Sequence, residues 1–250
     1  MNNIILPFLI TTLAGLSTMI GIIPCYFKEK NKDTIIAFCL AASSGVMISI
    51  SMFSLIPESI KLMSTNISIM GSFLMTFIFI TIGIITSSNI DKNVNKYISN
   101  SKLYKLGIIS IIALILHNIP EGITTFISTS SNIKLGITLS LAIALHNIPE
   151  GIAIAIPIFY STKSKKRAII YTAISGFSEL FGAILAYLFL SKYINNFILS
   201  LILALTAGIM LHISIYELLP SSLDYKKSKV TIISFIIGFC IMLLCDLLIN

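Results

Sequence analysis

The most regular feature of the chain is a series of long apolar runs separated by short polar stretches. A bilayer core of about 30 Å needs roughly 20 apolar residues per helix, and eight runs reach that length. Because unpaired backbone polar groups are costly in lipid, each run is expected to be a helix. The pattern predicts an all-α membrane protein with eight transmembrane helices, at about residues 4–27, 34–57, 67–87, 106–127, 135–160, 168–190, 197–220 and 230–249.

Composition agrees with this prediction. Of the 250 residues, 56% are hydrophobic and 11% are charged, and the mean hydropathy is +0.98, whereas about 25% of a soluble domain is charged. We therefore expect residues 1–250 to form a single multi-pass transmembrane domain. No Lys or Arg precedes the first run and no small-residue cleavage site follows it, so it is expected to be a helix rather than a removed signal peptide.

The basic residues indicate how the helices cross the membrane. Fourteen of the 17 Lys and Arg residues fall in the first, third, fifth and seventh loops, and only Lys61, Lys134 and Lys192 fall in the other loops. By the positive-inside rule, the odd loops are cytoplasmic and both termini lie outside the cell membrane. The net charge of +7 then reflects topology, and we expect no nucleic acid partner.

One octapeptide occurs twice, unchanged. Residues 116–123 read Leu-His-Asn-Ile-Pro-Glu-Gly-Ile, and residues 145–152 repeat them inside the next apolar run. Residues four apart lie on one helix face, so His117 and Glu121 point the same way, as do His146 and Glu150. Each copy therefore offers an imidazole and a carboxylate, half of a metal site. Pro120 and Pro149 are expected to kink the two helices, because each removes a backbone hydrogen bond.

A weaker repeat surrounds this motif. Gly15, Ser17 and Gly21 of the first run match Gly176, Ser178 and Gly182 of the sixth, and seven of fifteen residues are identical between 45–59 and 208–222. Ser72 and Ser234 extend the match to the third and eighth runs. Because the matched helices run in opposite directions, helices 1–3 and 6–8 are predicted to form an inverted repeat around the central helices 4 and 5, as in many transporters.

The loop between the fourth and fifth helices sets their register. His117 lies eleven residues before residues 128–134 and His146 twelve residues after them, which places both motifs roughly 16 to 18 Å from the outer boundary, near the midplane. In antiparallel helices this register sets His117 near Glu150 and His146 near Glu121.

The acidic residues predicted to lie inside the membrane need a compensating positive charge. The intramembrane acids Glu121, Glu150 and Glu179 each cost about 2.5 kcal/mol or more to insert, and no basic side chain is expected at their depth. A divalent cation, protons or both must supply the missing charge. Imidazole with carboxylate suits zinc, iron, manganese or cobalt. The four cysteines lack C-x-x-C spacing, which disfavours disulfides and thiolate sites.

Three further candidates keep an alternative explanation open. Glu179 is a candidate ligand or a protonated carboxyl bonded to a neighbouring serine. His212, the third intramembrane histidine, is equally a ligand or a packing residue, and Met47 is more often a core residue than a ligand.

The paired His-Asn-x-Pro-Glu-Gly motifs, the Ser-Gly-x-x-Glu sequence ending at Glu179 and the Phe-Ser-Leu-Ile-Pro-Glu sequence at 53–58 resemble the ZIP (Zrt/Irt-like) metal transporters, in particular their bacterial GufA and ZupT-like branch. The resemblance spans nearly the whole chain. It implies transport toward the cytoplasm and a midplane binuclear centre. One ion would lie among His117, Glu121, His146 and Glu150 with Met47 nearby, and a second among Asn118, Glu121, Asn147, Glu150 and Glu179.

We therefore expect a carrier of Zn²⁺, and also of Fe²⁺, Mn²⁺ or Co²⁺, that is not an enzyme and has no catalytic cofactor. Its expected partners are the metal ions and the lipid bilayer, with a homodimer as a candidate assembly. An intramembrane zinc hydrolase is the alternative, since three histidines and an acid could hold a catalytic zinc, although the chain has no H-E-x-x-H motif. A bis-histidine haem protein is a weaker alternative, which the adjacent carboxylates disfavour.

Overall fold

The computed structural model describes residues 4–27, 31–98, 101–190 and 195–249, and these residues form no β-strand. Eight of their helices are long and apolar enough to cross a membrane. In chain order they are α1 (Ile5–Tyr26), α2 (Lys32–Ser64), α3 (Ile69–Tyr97), α4 (Lys102–Ser131), α5 (Ile133–Thr162), α6 (Lys165–Leu190), α7 (Asn196–Leu223) and α8 (Ser228–Ile249). The predicted all-α membrane fold is confirmed.

The helices extend further than their apolar runs. α3 continues ten residues past Ser87 to Tyr97, and α2 continues past Pro57 to Ser64. Hydropathy finds the segment that lipid accepts, while the backbone hydrogen bonds of a helix continue into the polar residues beyond it. Lys28, Lys30 and Lys192, which contribute to the predicted topology, lie outside the described residues.

Departures from α-helical geometry occur at particular sequences. The C-terminal half of α1, Ser17–Tyr26, is a 3-10 helix. Short π-helical segments interrupt α2 at Ser51–Leu55 and α7 at Ile213–Leu218, which are matching positions of the sequence repeat. In both helices a serine hydroxyl at this point bonds the carbonyl four residues before it, and a proline follows, two features that disturb the regular backbone ladder.

Pro120 and Pro149 do not interrupt their helices. The assignment is continuous from Lys102 to Ser131 in α4 and from Ile133 to Thr162 in α5. A proline inside a packed transmembrane helix is tolerated because neighbouring groups satisfy the freed backbone. The carbonyl that loses its helical donor is that of Leu145, four residues before Pro149, whereas the hydroxyl of Ser43 in α2 donates to the carbonyl of Pro149 itself at 2.7 Å.

Glycines set the closest helix contacts and divide the helices into two groups. A side chain at Gly15 of α1 would collide with the Gly176 carbonyl of α6, and one at Gly122 of α4 would collide with the backbone of Glu179. These contacts, with one between α5 and α1, tie α1, α4, α5 and α6 together. In the other group Gly45 joins α2 to α8 and Gly83 joins α3 to α7, and the packing of α2 against α7 connects these two pairs. Small residues allow this approach of backbones inside a bilayer.

The two repeat halves make equivalent hydrogen bonds. Ser59 donates to the Ser200 carbonyl at 2.8 Å, and Ser222 donates to the Ala37 carbonyl at 2.7 Å. The same two serines bond a threonine of the next helix, Thr76 at 3.2 Å and Thr231 at 2.9 Å respectively. The third and eighth helices therefore match at Thr76 and Thr231 rather than at Ser72 and Ser234, because the shared hydroxyl contacts fix the register. The inverted orientation stays a prediction, which these contacts support.

Burial separates the central from the peripheral helices. The apolar window of α4 is 67% buried, whereas those of α3 and α8 are 17% and 22% buried. α3 and α8 thus present most of their apolar surface outward, where lipid accepts it.

Candidate metal centre

The centre is built where α4 and α5 pack against each other in the middle of the bundle, with α6 against both. Its four principal side chains are almost completely buried: His117 and Glu150 expose 0%, and Glu121 and His146 expose 4%. Ionisable side chains at this burial need partners of opposite charge, metal ions or shared protons.

The two motif copies pair reciprocally. His117 Nε2 lies 2.9 Å from Glu150 Oε1, and His146 Nε2 lies 3.1 Å from Glu121 Oε1. Within its own copy, His117 Nε2 is also 3.4 Å from Glu121 Oε1. The helix register predicted this exchange of partners between α4 and α5.

These side chains converge on one point. One ligand atom from each of His117, Glu121 and His146 lies within 4.8 Å of the others, a spacing that a single metal ion can span. The two imidazole rings are 6.2 Å apart between centroids. Glu150 joins the group through its contact with His117. Two imidazoles and two carboxylates form a donor set typical of zinc and other first-row divalent metals.

The residue after each histidine, Asn118 in α4 and Asn147 in α5, offers a further oxygen donor. The Asn118 amide donates to the Ser175 carbonyl of α6 at 3.1 Å. The Asn147 amide donates to the Ala14 carbonyl of α1 at 2.9 Å and also to Glu179 Oε1. Both asparagines therefore turn their amide nitrogens toward the flanking helices. Glu179 is fully buried on α6, and Asn147 links it to the motif of α5.

Several buried acceptors around the centre have no hydrogen-bond partner. Those acceptors on the predicted ligands are Asn118 Oδ1, Asn147 Oδ1, Glu150 Oε2 and Glu179 Oε2. Buried polar atoms are nearly always satisfied by protein, water or an ion. A set of unsatisfied oxygens without a nearby cation fits a site that takes a positive ion.

Met47 and His212 occupy different places from the central group. Met47 of α2 is fully buried in the main hydrophobic core. His212 stacks on Tyr216 of its own helix, with ring centroids 5.2 Å apart, and it lies outside the cluster of His117, Glu121 and His146. Their roles as ligands stay predictions.

Two pairs of polar side chains were not predicted from the sequence. On α2 and α8, Ser54 donates to Asp246 at 2.6 Å; on α7 and α3, Glu217 lies beside Asp91. The sequence repeat already aligns Ser54 with Glu217. Their partners Asp246 and Asp91 become equivalent only when the third and eighth helices are aligned at Thr76 and Thr231.

Comparison with known proteins gives a consistent result. The family model for the ZIP zinc transporter matches residues 95–246, which include both motif copies. The chain is 35% identical to the zinc transporter ZupT of Chlorobium luteolum over the full length of both proteins. It is 34% identical to the ZupT of Clostridium perfringens, covering 97% of this chain and 95% of that protein, and 35% identical to the ZupT of Streptococcus mutans, covering 94% of each.

Proposed function

Because the chain belongs to the ZIP family of metal transporters, we propose that it moves Zn²⁺ across the cell membrane into the cytoplasm through the His–Glu centre of α4 and α5. It is a divalent-metal transporter and a multi-pass membrane protein. The same centre is proposed to accept Fe²⁺, Mn²⁺ and Co²⁺, which favour similar nitrogen and oxygen donors. The metal is cargo, and no catalytic cofactor is proposed.

The main support for this proposal is the reciprocal pairing of the two motif copies. Each copy alone offers one imidazole and one carboxylate, and only their exchange across α4 and α5 gathers four donors. Zinc prefers four nitrogen, oxygen or sulfur ligands in tetrahedral geometry. We assign His117, Glu121, His146 and Glu150 to this first ion.

A second ion is proposed beside the first. Its ligands would be Asn118, Asn147 and Glu179, with Glu121 and Glu150 shared between the two ions. The unsatisfied oxygens of the two asparagines and of Glu179 support this position. An all-oxygen set is harder than the first and also suits manganese or magnesium.

We propose the membrane topology from the charge of the loops, and the direction of transport, toward the cytoplasm, from the resemblance to the ZIP transporters. Fourteen of 17 basic residues lie in the odd loops, which supports cytoplasmic odd loops and both termini outside. A homodimer stays a prediction.

The rival function is an intramembrane zinc hydrolase, and the contacts of the central carboxylates argue against it. The carboxylates that touch His117 and His146 are themselves the second half of the ligand set. We propose that the protein is not an enzyme.

Uptake into proteoliposomes tests the proposal against this rival. The wild type is expected to accumulate radiolabelled Zn²⁺ and to show no lipid or peptide hydrolysis. Glu150→Gln or His117→Ala should reduce uptake to background, because each removes a ligand, whereas the matched control Cys240→Ala changes an exposed residue and should transport normally. Wild-type uptake by either ligand variant at equal incorporation would contradict the assignment, and zinc-dependent hydrolysis would favour the enzyme.

A further inference from the structure

The carbonyl of Pro149 in the α5 motif accepts a hydrogen bond from outside its own helix. Ser43 of α2 is 1% exposed, and its hydroxyl donates to this carbonyl at 2.7 Å. Pro149 stands between His146 and Glu150, which supply half of the proposed centre. The bond therefore ties the backbone between two proposed ligands to α2, a helix of the other glycine-packed group.

In the first motif copy the equivalent bond comes from the same helix. The Thr124 hydroxyl donates to the Pro120 carbonyl, four residues earlier in α4, at 2.9 Å. The equivalent position of the second copy, also seven residues after its histidine, is Ala153. The α5 copy thus lacks the hydroxyl that α4 provides for itself, and Ser43 supplies one from α2.

Two other prolines of the chain have the same kind of bond. Thr11 donates to the Pro7 carbonyl at 2.9 Å, and Ser161 donates to the Pro157 carbonyl at 2.6 Å, each from four residues further along the helix. A hydroxyl that bonds the carbonyl one turn before it often bends a helix, and a proline disturbs the backbone ladder at nearly the same place. A hydroxyl on a proline carbonyl is therefore expected to set the local bend of the helix.

The residue equivalent to Ser43 in the other repeat half makes no such bond. Thr206 of α7 occupies the position of Ser43 in the sequence repeat, and α7 packs against α4 as α2 packs against α5. Within the described part of the chain, however, the buried Thr206 hydroxyl has no hydrogen-bond partner. A hydroxyl from a neighbouring helix thus reaches the motif copy whose own helix has none.

We propose that Ser43 is a positioning residue of the metal centre, which holds the α5 copy in the bend that presents His146 and Glu150 to the ion, as Thr124 does for the α4 copy. Ser43 acts through the Pro149 backbone and not as a ligand. Because its hydroxyl comes from α2, the α5 half of the centre depends on the position of α2, whereas the α4 half carries its donor in its own helix. The inference rests on the proposed function, since it concerns the same centre.

Co²⁺ binding to the full chain in detergent tests this role, because the absorption bands of Co²⁺ depend on the geometry of its ligands. Ser43→Ala should weaken Co²⁺ binding roughly tenfold, the lower end of the loss expected when a supporting group around a metal is removed, and should shift the bands. The KM for Zn²⁺ uptake into proteoliposomes should rise by a similar factor, with the maximal rate nearly unchanged.

Ser44→Ala is the matched control. Ser44 is also a buried serine of α2, and its hydroxyl donates to the Ser214 carbonyl of α7 at 3.0 Å. Its loss removes a comparable bond between helices without touching a motif. This variant should lower the thermal midpoint about as much as Ser43→Ala does, while its Co²⁺ affinity and spectrum stay those of the wild type.

A second variant restores the missing bond from within α5. Ala153→Thr added to Ser43→Ala places a hydroxyl four residues after Pro149, which is the arrangement of α4, and should recover the wild-type spectrum and most of the affinity. No recovery in a double variant that elutes like the wild type on size exclusion would overturn the proposal. So would an unchanged spectrum and affinity in Ser43→Ala, or equal changes in Ser44→Ala. A wild type that binds no Co²⁺ would instead contradict the metal centre itself, and the positioning role with it.

Discussion

The two copies of the octapeptide are identical, but their surroundings differ. The Asn118 amide of α4 bonds a backbone carbonyl of α6, while the Asn147 amide of α5 bonds a backbone carbonyl of α1 and also Glu179. In the repeat, the position of Glu179 in α6 corresponds to Thr18 in α1. The Thr18 hydroxyl bonds the carbonyl three residues before it at 2.7 Å. Only α6 therefore contributes a carboxylate.

We infer from this difference that the symmetric and the asymmetric parts of the site have different roles. The symmetric part, the exchanged histidines and glutamates, supplies the donors that a transition metal requires. The asymmetric part adds one carboxylate, Glu179, from α6 only. We infer that affinity for the cargo follows the symmetric part, and that the choice among metals follows the asymmetric part.

The strongest test removes both imidazoles. His117→Ala with His146→Ala leaves the carboxylates and asparagines in place, so the symmetric site loses its nitrogen donors while the oxygen site remains. We expect Zn²⁺ uptake to fall to background, measured with radiolabelled metal at matched incorporation. Zn²⁺ transport by this variant would mean that the oxygen donors alone form the transport site.

Removing the asymmetric carboxylate should have a smaller effect. Glu179→Ala is expected to weaken Zn²⁺ affinity by roughly 10- to 100-fold, as loss of a supporting group around a metal does, and to change the ratio of Mn²⁺ to Zn²⁺ uptake. Thr18→Ala, at the equivalent position of α1, is the control and should leave that ratio unchanged. If both variants shift the ratio equally, the asymmetry has no part in selectivity.

The glycines beside the two copies allow a structural comparison. A Cβ at Gly122 would meet the Glu179 backbone, and one at Gly151 would meet the Thr18 backbone. Either alanine variant should destabilise the fold by about 1–3 kcal/mol through overpacking, seen as a lower midpoint in a thermal shift measurement. Gly122→Ala should also alter the Mn²⁺ to Zn²⁺ ratio because it displaces Glu179; an unchanged ratio would contradict this coupling.

The smallest expected effects concern the two equivalent acids at the other polar pairs. Asp246→Asn and Asp91→Asn each remove a charge that attracts cations toward the bundle, without removing a ligand of the centre. We expect roughly 3- to 10-fold slower uptake at low metal concentration and near-normal rates at saturation. A complete loss with either variant would mean that the acid belongs to the transport site itself.

Much of this organisation was predictable because membranes impose simple rules. Eight helices follow from the apolar runs, and the reciprocal contacts of His117 with Glu150 and His146 with Glu121 follow from helical spacing and the length of one short loop. Tertiary contacts were harder to predict. The orientation of Asn147 depends on the Ala14 carbonyl 133 positions away, and the Ser54–Asp246 bond joins residues separated by 192 positions. Local sequence patterns do not predict contacts between residues so far apart in the chain.

The reciprocal bonds also bear on how fast the protein can let its cargo go. The carboxylates that gather around an ion are the groups that hold the histidine rings when they contact each other directly. A metal must displace these bonds to bind, and they re-form as it leaves. Binding that is favourable enough for loading yet weak enough for release is what permeation demands. In the proposed centre, the histidines and glutamates would therefore compete with their own cargo, which would shorten its residence and favour turnover over storage.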